Sequence, residues 1–181
     1  MNPHILVGMS GGIACYKTVS VVRLLKKKNA KVNVIMTKNA KKFITPLTMQ
    51  SISNNIVRFN TFTKHHNKND YMEHIKLAKW AQHILLAPAT ANIIAKLTYG
   101  FADNLLTTIC LATKAPISIV PSMNQIMWLN ISTQTNIKIL KNRGIDIIGP
   151  ELGEQACGDF GYGCMTNPKD IVRIVMRKFL L

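Results

Sequence analysis

Along the 181 residues, short β-branched apolar runs alternate with longer stretches whose apolar positions recur every three to four residues. The runs are Ile5 to Val7, Val32 to Met36, Ile84 to Ala87, Ile117 to Val120 and Ile145 to Ile148. Each is flanked by glycine, proline or polar residues, which predicts strands. Ala14 to Lys28 has the helical period instead. Val19, Val22 and Leu25 share one face, and Lys26, Lys27 and Lys28 fill the last turn, where cations suit the helix dipole. Strands alternating with helices predict one α/β domain over residues 1–181, a single Rossmann-like doubly wound parallel sheet with helices on both faces.

Two segments break this rhythm. Thr61 to Asp70 is polar and reads as a surface loop. Residues 151–167 hold four glycines, Gly153, Gly158, Gly161 and Gly163, without clear periodicity. That is the composition of a mobile flap rather than of a packed element. The longest apolar runs, such as Ile84 to Ala89, fall far short of the ~20 residues of a membrane span, and the chain opens on an apolar strand with no basic leader. Four cysteines without a C-x-x-C pair and five histidines without ligand spacing predict neither a disulfide scaffold nor a metal site. A cytoplasmic location is the expectation.

Charge adds a partner class. A net charge of +15 favours polyanions, and by charge alone a phosphorylated small molecule, nucleic acid and anionic lipid all qualify. Aromatic residues make up only 7% and do not interleave with the lysines, which argues against nucleic acid. A basic, non-catalytic binding module is the alternative in a different class.

Candidate chemistry gathers at the ends of the predicted strands. Gly8-Met9-Ser10-Gly11-Gly12-Ile13-Ala14 is a glycine turn feeding a helix, whose amides suit a phosphate and to which Ser10 adds a hydroxyl. It is not G-x-G-x-x-G, and Thr37-Lys38-Asn39 stands where a dinucleotide site wants a ribose-binding acid, so a mononucleotide fits better than NAD. A tight turn with no ligand is the plainer reading of the same residues. Asp70 and Glu73 have capping-box spacing, which puts His74 in the first turn of a helix, on a face with Leu77, Ala78 and Ala81. The positive end of the helix dipole favours its neutral ring, the form that accepts a proton, although a buried structural histidine satisfies the same spacing. Asn124, after the fourth strand, offers a donor and an acceptor. Asp159, two residues beyond Cys157, disfavours a thiolate there and so suits a proton donor.

Taken in order, S-G-G-I-A, H-I-x-L-A-x-W-A, A-P-A-T-A-N, P-x-M-N and A-C-G-D-x-G-x-G resemble the homo-oligomeric flavin-containing cysteine decarboxylase family, from Ile5 to about Asp170. The resemblance implies an FMN enzyme of coenzyme A synthesis that converts 4'-phospho-N-pantothenoylcysteine to 4'-phosphopantetheine and CO2. It implies that the cysteine side chain is first oxidised to a thioaldehyde, which acts as the electron sink for decarboxylation. By position, His74 is the base and orienting group, Asn124 holds the substrate, and Cys157 protonates the enethiol from the flap. Ser10, Gly11, Gly12, Ile13, Thr37, Thr90, Ala91, Asn92 and Ser122 fall at cofactor-binding positions. Trimers or dodecamers, with the site between subunits, and a separate phosphopantothenoylcysteine synthetase are implied partners.

Departures from the family are Cys164, where the flap usually carries an arginine that contacts an anion, and Ser122 in place of alanine. A lysine or a neighbouring subunit is the expected substitute for the missing arginine. A peptidyl-cysteine decarboxylase and a flavin prenyltransferase are the alternatives that share the cofactor fold.

Overall fold

The computed structural model describes residues 2–59 and 72–180. The predicted loop Thr61 to Asp70, with His65 and His66, lies outside them. Five parallel strands, β1 (His4–Met9), β2 (Lys31–Met36), β3 (His83–Ala89), β4 (Ile117–Pro121) and β5 (Asp146–Ile147), form one sheet in the order β2-β1-β3-β4-β5. All five predicted strands are present, the last cut to two residues. Because β2 and β3 lie on opposite sides of β1, the connections diverge there, and a crevice opens at the carboxyl ends of β1 and β3.

The sheet is covered on both faces, as continuous apolar strands require. On one face Ile5, Val7 and Met9 pack against Val21, Val22 and Leu25 of α1 (Cys15–Lys27) and Ile171, Val172 and Val175 of the C-terminal helix Pro168–Arg177. On the other, Leu6, Ile84, Leu86 and Ile119 meet four helices: α3 (Glu73–Trp80), α4 (Ala91–Tyr99), α5 (Leu105–Ala112) and α7 (Ile131–Asn142). Helices α2 (Pro46–Ser53) and α6 (Gln125–Leu129) complete the set, with Pro168–Arg177 as α8.

Helix starts differ in a way that bears on function. Thr45, Thr90, Asn104, Asn124, Asn130 and Asn167 cap α2, α4, α5, α6, α7 and α8 with side-chain oxygens. Among the described residues α1 and α3 have no such cap; Ala14 and Met72 stand at their N-caps. The predicted capping box is thereby corrected. Helix α3 begins at Glu73, which is its first residue rather than its third; Asp70 lies outside the described residues, and the Glu73 carboxylate is held in an ion pair by Arg58. Arg58 bridges to Ile35 of β2 and donates to Asn33 Oδ1 at 3.3 Å, which ties the start of α3 to the outer edge strand.

The glycine-rich segment is likewise a built element. Strands β6 (Glu151–Glu154) and β7 (Phe160–Cys164) form an antiparallel hairpin. The amide of Met123 donates to Gly163 O at 3.1 Å, which fastens the hairpin behind β4. A Cβ at Gly161 would lie 1.9 Å from Gln125 Oε1, and one at Gly163 would lie 2.1 Å from the Met123 carbonyl oxygen. Two of the four glycines thus serve close packing, not loose chain.

At the amino ends of the strands a polar chain crosses the core. Ser118 Oγ donates to Asp146 Oδ2 at 3.1 Å, so His83 Nε2–H donates to Ser118 Oγ at 3.0 Å, and Lys178 pairs with Asp146 at 3.1 Å. His83 is fully buried, and its Nδ1 has no partner. Burial, aided by Lys178 and opposed by Asp146, pushes the His83 pKa from 6.5 down to about 4.

Candidate active site

A cavity of about 930 Å3 occupies the crevice at the carboxyl edge of the sheet. All nine predicted cofactor positions line it, Ser10, Gly11, Gly12, Ile13, Thr37, Thr90, Ala91, Asn92 and Ser122, together with Asn124 and Cys157. Its floor is the glycine turn before α1. Among the described residues no acceptor pairs with the amides of Gly11, Gly12 and Ile13, and Ala14 leaves the helix start uncapped. Unpaired donors at the positive end of a 13-residue helix form an anion cradle. A Cβ at Gly11 would lie 2.4 Å from Asn39 Cβ, so only glycine lets this turn pass the loop after β2.

Ser10 has a different task from the one its position suggests. Its side chain is buried; Oγ donates to Pro88 O at 2.7 Å and accepts from the Thr90 amide at 3.0 Å. The hydroxyl is therefore spent on joining the two turns that flank the crevice and is not aimed at a phosphate. Thr37 is similarly engaged, its Oγ1 accepting from the Ala40 amide at 3.3 Å.

The far wall carries the reactive groups. Asn124 Oδ1 accepts from the Ile126 amide at 2.8 Å as the cap of α6. That bond holds Oδ1 at the helix start and fixes the amide, so the NH2 of Asn124 is free to donate to an acceptor or an anion. The NH2 donates to Asp159 Oδ2 at 2.9 Å and to Cys157 Sγ at 3.3 Å, and the Cys157 thiol donates to the same Asp159 oxygen at 3.3 Å. The other thiols are less suited to exchange protons with a ligand. Burial raises Cys15 and pushes Cys110 up to about 12. Cys164 lines the cavity but donates to Glu154 O at 3.2 Å within the hairpin.

Sequence reasoning expected a lysine or a neighbouring subunit to replace the missing arginine and did not say which lysine. Lys17 and Lys38 line the cavity; Lys17 Nζ donates to Met165 O at 3.1 Å, a neutral partner. Lys96 also lines it but is paired with Asp103, whose carboxyl it holds below the usual range. Lys17 follows Tyr16 on the first turns of α1, and its helical spacing from the glycine turn was the available signal. Gln155 was missed. It accepts from the Gln125 amide at 3.0 Å and so sets the hairpin tip against α6.

His74 does not reach this cavity. It stands half-buried in the first turn of α3, on the predicted face with Leu77, Ala78 and Ala81. The start of α3 is anchored at β2, whereas Cys157 hangs from the hairpin behind β4. Three strand spacings, roughly 14 Å, separate those anchors. Cys157 lines the cavity and His74 does not. Among the described residues no cluster suits a metal ion.

An anion cradle at the switch point of a doubly wound sheet, with apolar and amide-bearing walls, defines a mononucleotide-binding α/β protein. The Flavoprotein family matches residues 1–180, and the chain belongs to it. The chain is 51% identical over 168 residues to the coenzyme A biosynthesis bifunctional protein CoaBC of Haemophilus influenzae, covering 93% of this chain and 42% of that protein. It thus spans less than half the length of such curated relatives. Among solved structures, a PPC decarboxylase mutant complexed with pantothenoylaminoethenethiol superposes with a TM-score of 0.89 at 29% identity, covering 100% of both chains. The FMN binding protein AtHal3 gives 0.83 at 30% identity, covering 99% of this chain and 97% of that one.

Proposed function

We propose that this chain is an FMN-dependent decarboxylase that converts 4'-phospho-N-pantothenoylcysteine to 4'-phosphopantetheine and CO2. The observation that carries the reading is the convergence of an anion cradle, an amide donor and a thiol donor on one cavity. Similarity to CoaBC proteins and to a PPC decarboxylase over its whole length supports the substrate, and the Flavoprotein family supports the cofactor.

The residues fit FMN. The amides of Gly11, Gly12 and Ile13 would hold its phosphate, and Thr90, Ala91, Asn92 and Ser122 would line its ring. FMN, when bound, would supply two-electron redox chemistry at the substrate's cysteine side chain, as acceptor and then as donor, which keeps the reaction redox-neutral overall. The Asn124 NH2 binds the substrate carboxylate, since its acceptor is already committed to α6. The Cys157 thiol donates the proton that completes reduction of the enethiol. Lys17, with Lys38, takes the anion contact for which Cys164 offers no charge.

His74 acts as base and orienting group from a second copy of the chain. Exposed Ile13 and Tyr16 beside the cavity, and Ile126 and Phe160 on the hairpin side, supply apolar surface for that copy. A phosphopantothenoylcysteine synthetase is the proposed partner activity, in keeping with the similarity to bifunctional CoaBC proteins. No helix among the described residues is long and apolar enough to cross a membrane.

The test is product identity. Cys157→Ser, loaded with FMN, is expected to release CO2 once and leave the decarboxylated enethiol unreduced, whereas His74→Asn releases none. Full conversion to 4'-phosphopantetheine by Cys157→Ser contradicts the proposed role.

A further inference from the structure

Asn124 is oriented to bind a carboxylate, yet its amide already holds one. Asp159 Oδ2 accepts from Asn124 Nδ2 at 2.9 Å and from the Cys157 thiol at 3.3 Å. The arrangement is braced from both sides. Asn124 cannot rotate its amide without giving up the 2.8 Å bond from the Ile126 amide that starts α6. The Asp159 main chain is pinned by the Gln155 amide, which donates to Asp159 O at 2.8 Å, and the Gly158 amide donates back to Gln155 O at 2.9 Å. Asp159 is thus presented on a closed turn toward the donor expected to receive substrate.

We propose that Asp159 is a positioning residue that occupies the carboxylate subsite as an internal competitor, and that a carboxylate-bearing ligand enters by displacing it from Asn124. This rests on the reading of Asn124 as the carboxylate-binding group. Two carboxylates cannot share one NH2 at hydrogen-bond distance without strong repulsion, so ligand binding and release of Asp159 are a single exchange. The exchange gives selectivity. A ligand that has lost its carboxylate has nothing to offer Asn124, and Asp159 returns to it, which favours departure of the decarboxylated product. Displaced Asp159 remains two residues from Cys157, able to keep the thiol hydrogen as its partner while the substrate is held.

The experiment uses FMN-loaded protein and two non-reactive ligands, 4'-phospho-N-pantothenoylalanine, which keeps the carboxylate but has no thiol to oxidise, and 4'-phospho-N-pantothenoylethylamine, which lacks the carboxylate. By calorimetry, Asp159→Ala is expected to bind the first about three- to tenfold more tightly than the unmodified protein, the worth of one exposed charge-assisted hydrogen bond. It should bind the second unchanged. Asp159→Asn, which keeps the turn and loses the charge, is expected to move in the same direction by less. Equal shifts for both ligands, or weaker binding of the carboxylate ligand, overturn the proposal.

A second readout does not depend on the pantothenoyl substrate. The ratio of Cys157 alkylation by iodoacetate to that by iodoacetamide, followed on the peptide, should rise about three- to tenfold in Asp159→Ala as the reagent's carboxylate takes the freed amide. It should fall back when Asn124→Ala is added. A ratio that does not move overturns the role of Asp159. A ratio that rises while neither pantothenoyl ligand binds the unmodified protein places the failure in the substrate reading instead.

Discussion

Single atoms decide how the site is set. Among the described residues Ser10 Oγ is the partner of the Thr90 amide and also donates to Pro88 O, so Ser10→Ala strands the Thr90 donor at the crevice and leaves Pro88 O only the Ser10 amide at 3.3 Å. FMN affinity, followed by quenching of flavin fluorescence, is expected to fall about tenfold. His83 makes a separate prediction. Its unfolded-state value near 6.5 exceeds the folded value of about 4, so between those pH values the unfolded chain binds more protons. Stability is therefore full above about pH 6.5 and is lost as pH falls toward 4, by an amount on the order of 3 kcal/mol. Replacing the pair, His83→Leu with Ser118→Ala, removes a buried polar contact from both sides. Urea midpoints should then become flat between pH 4.5 and about 6.5; an undiminished slope refutes the assignment. At this scale the sequence was only half legible. The types of residue in each motif pointed to the right cavity, but the direction of Ser10 Oγ and of the Asn124 amide depends on partners 78 residues away and two residues away, respectively. Neither is encoded in spacing.

Among elements, the helix starts differ. Among the described residues six helices are closed by side-chain caps, and the two that are not begin at the anion cradle and beside His74. Strands and the α1 helix were readable because period and burial agree along them. The hairpin was not, because glycine composition is the same for a loose loop and for strands pressed against a neighbour. Only the approach of Met123 and Gln125 to Gly163 and Gly161 distinguishes them. Hence Gly161→Ala and Gly163→Ala are expected to leave FMN bound, with an unchanged visible spectrum. Decarboxylation should nevertheless fall by more than about tenfold, since Cys157 is carried out of register with Asn124. Retained activity in both variants would mean that the hairpin does not position the thiol.

The molecule as a whole presents a divided site. His74 is anchored at β2 and Cys157 behind β4, and the proposal that each active centre draws on two copies rests on that strand order, which no stretch of sequence displays. Co-assembled His74→Asn and Cys157→Ser chains, each inactive alone, should regain about a quarter of full activity if the copies mix at random in a closed ring. No recovery would place both groups in one subunit. Strong positive charge, +15 in all, suits a phosphorylated substrate drawn toward Lys17 and Lys38 and requires no nucleic-acid partner. The most direct test of the central claim is CO2 release from 4'-phospho-N-pantothenoylcysteine by the FMN-loaded protein, with flavin absorbance followed in the same cuvette and oxygen excluded. Stoichiometric CO2 with flavin returning to its oxidised spectrum is the predicted result. Saturation with FMN and substrate without CO2 release, or turnover that stops with the flavin permanently reduced, would contradict it.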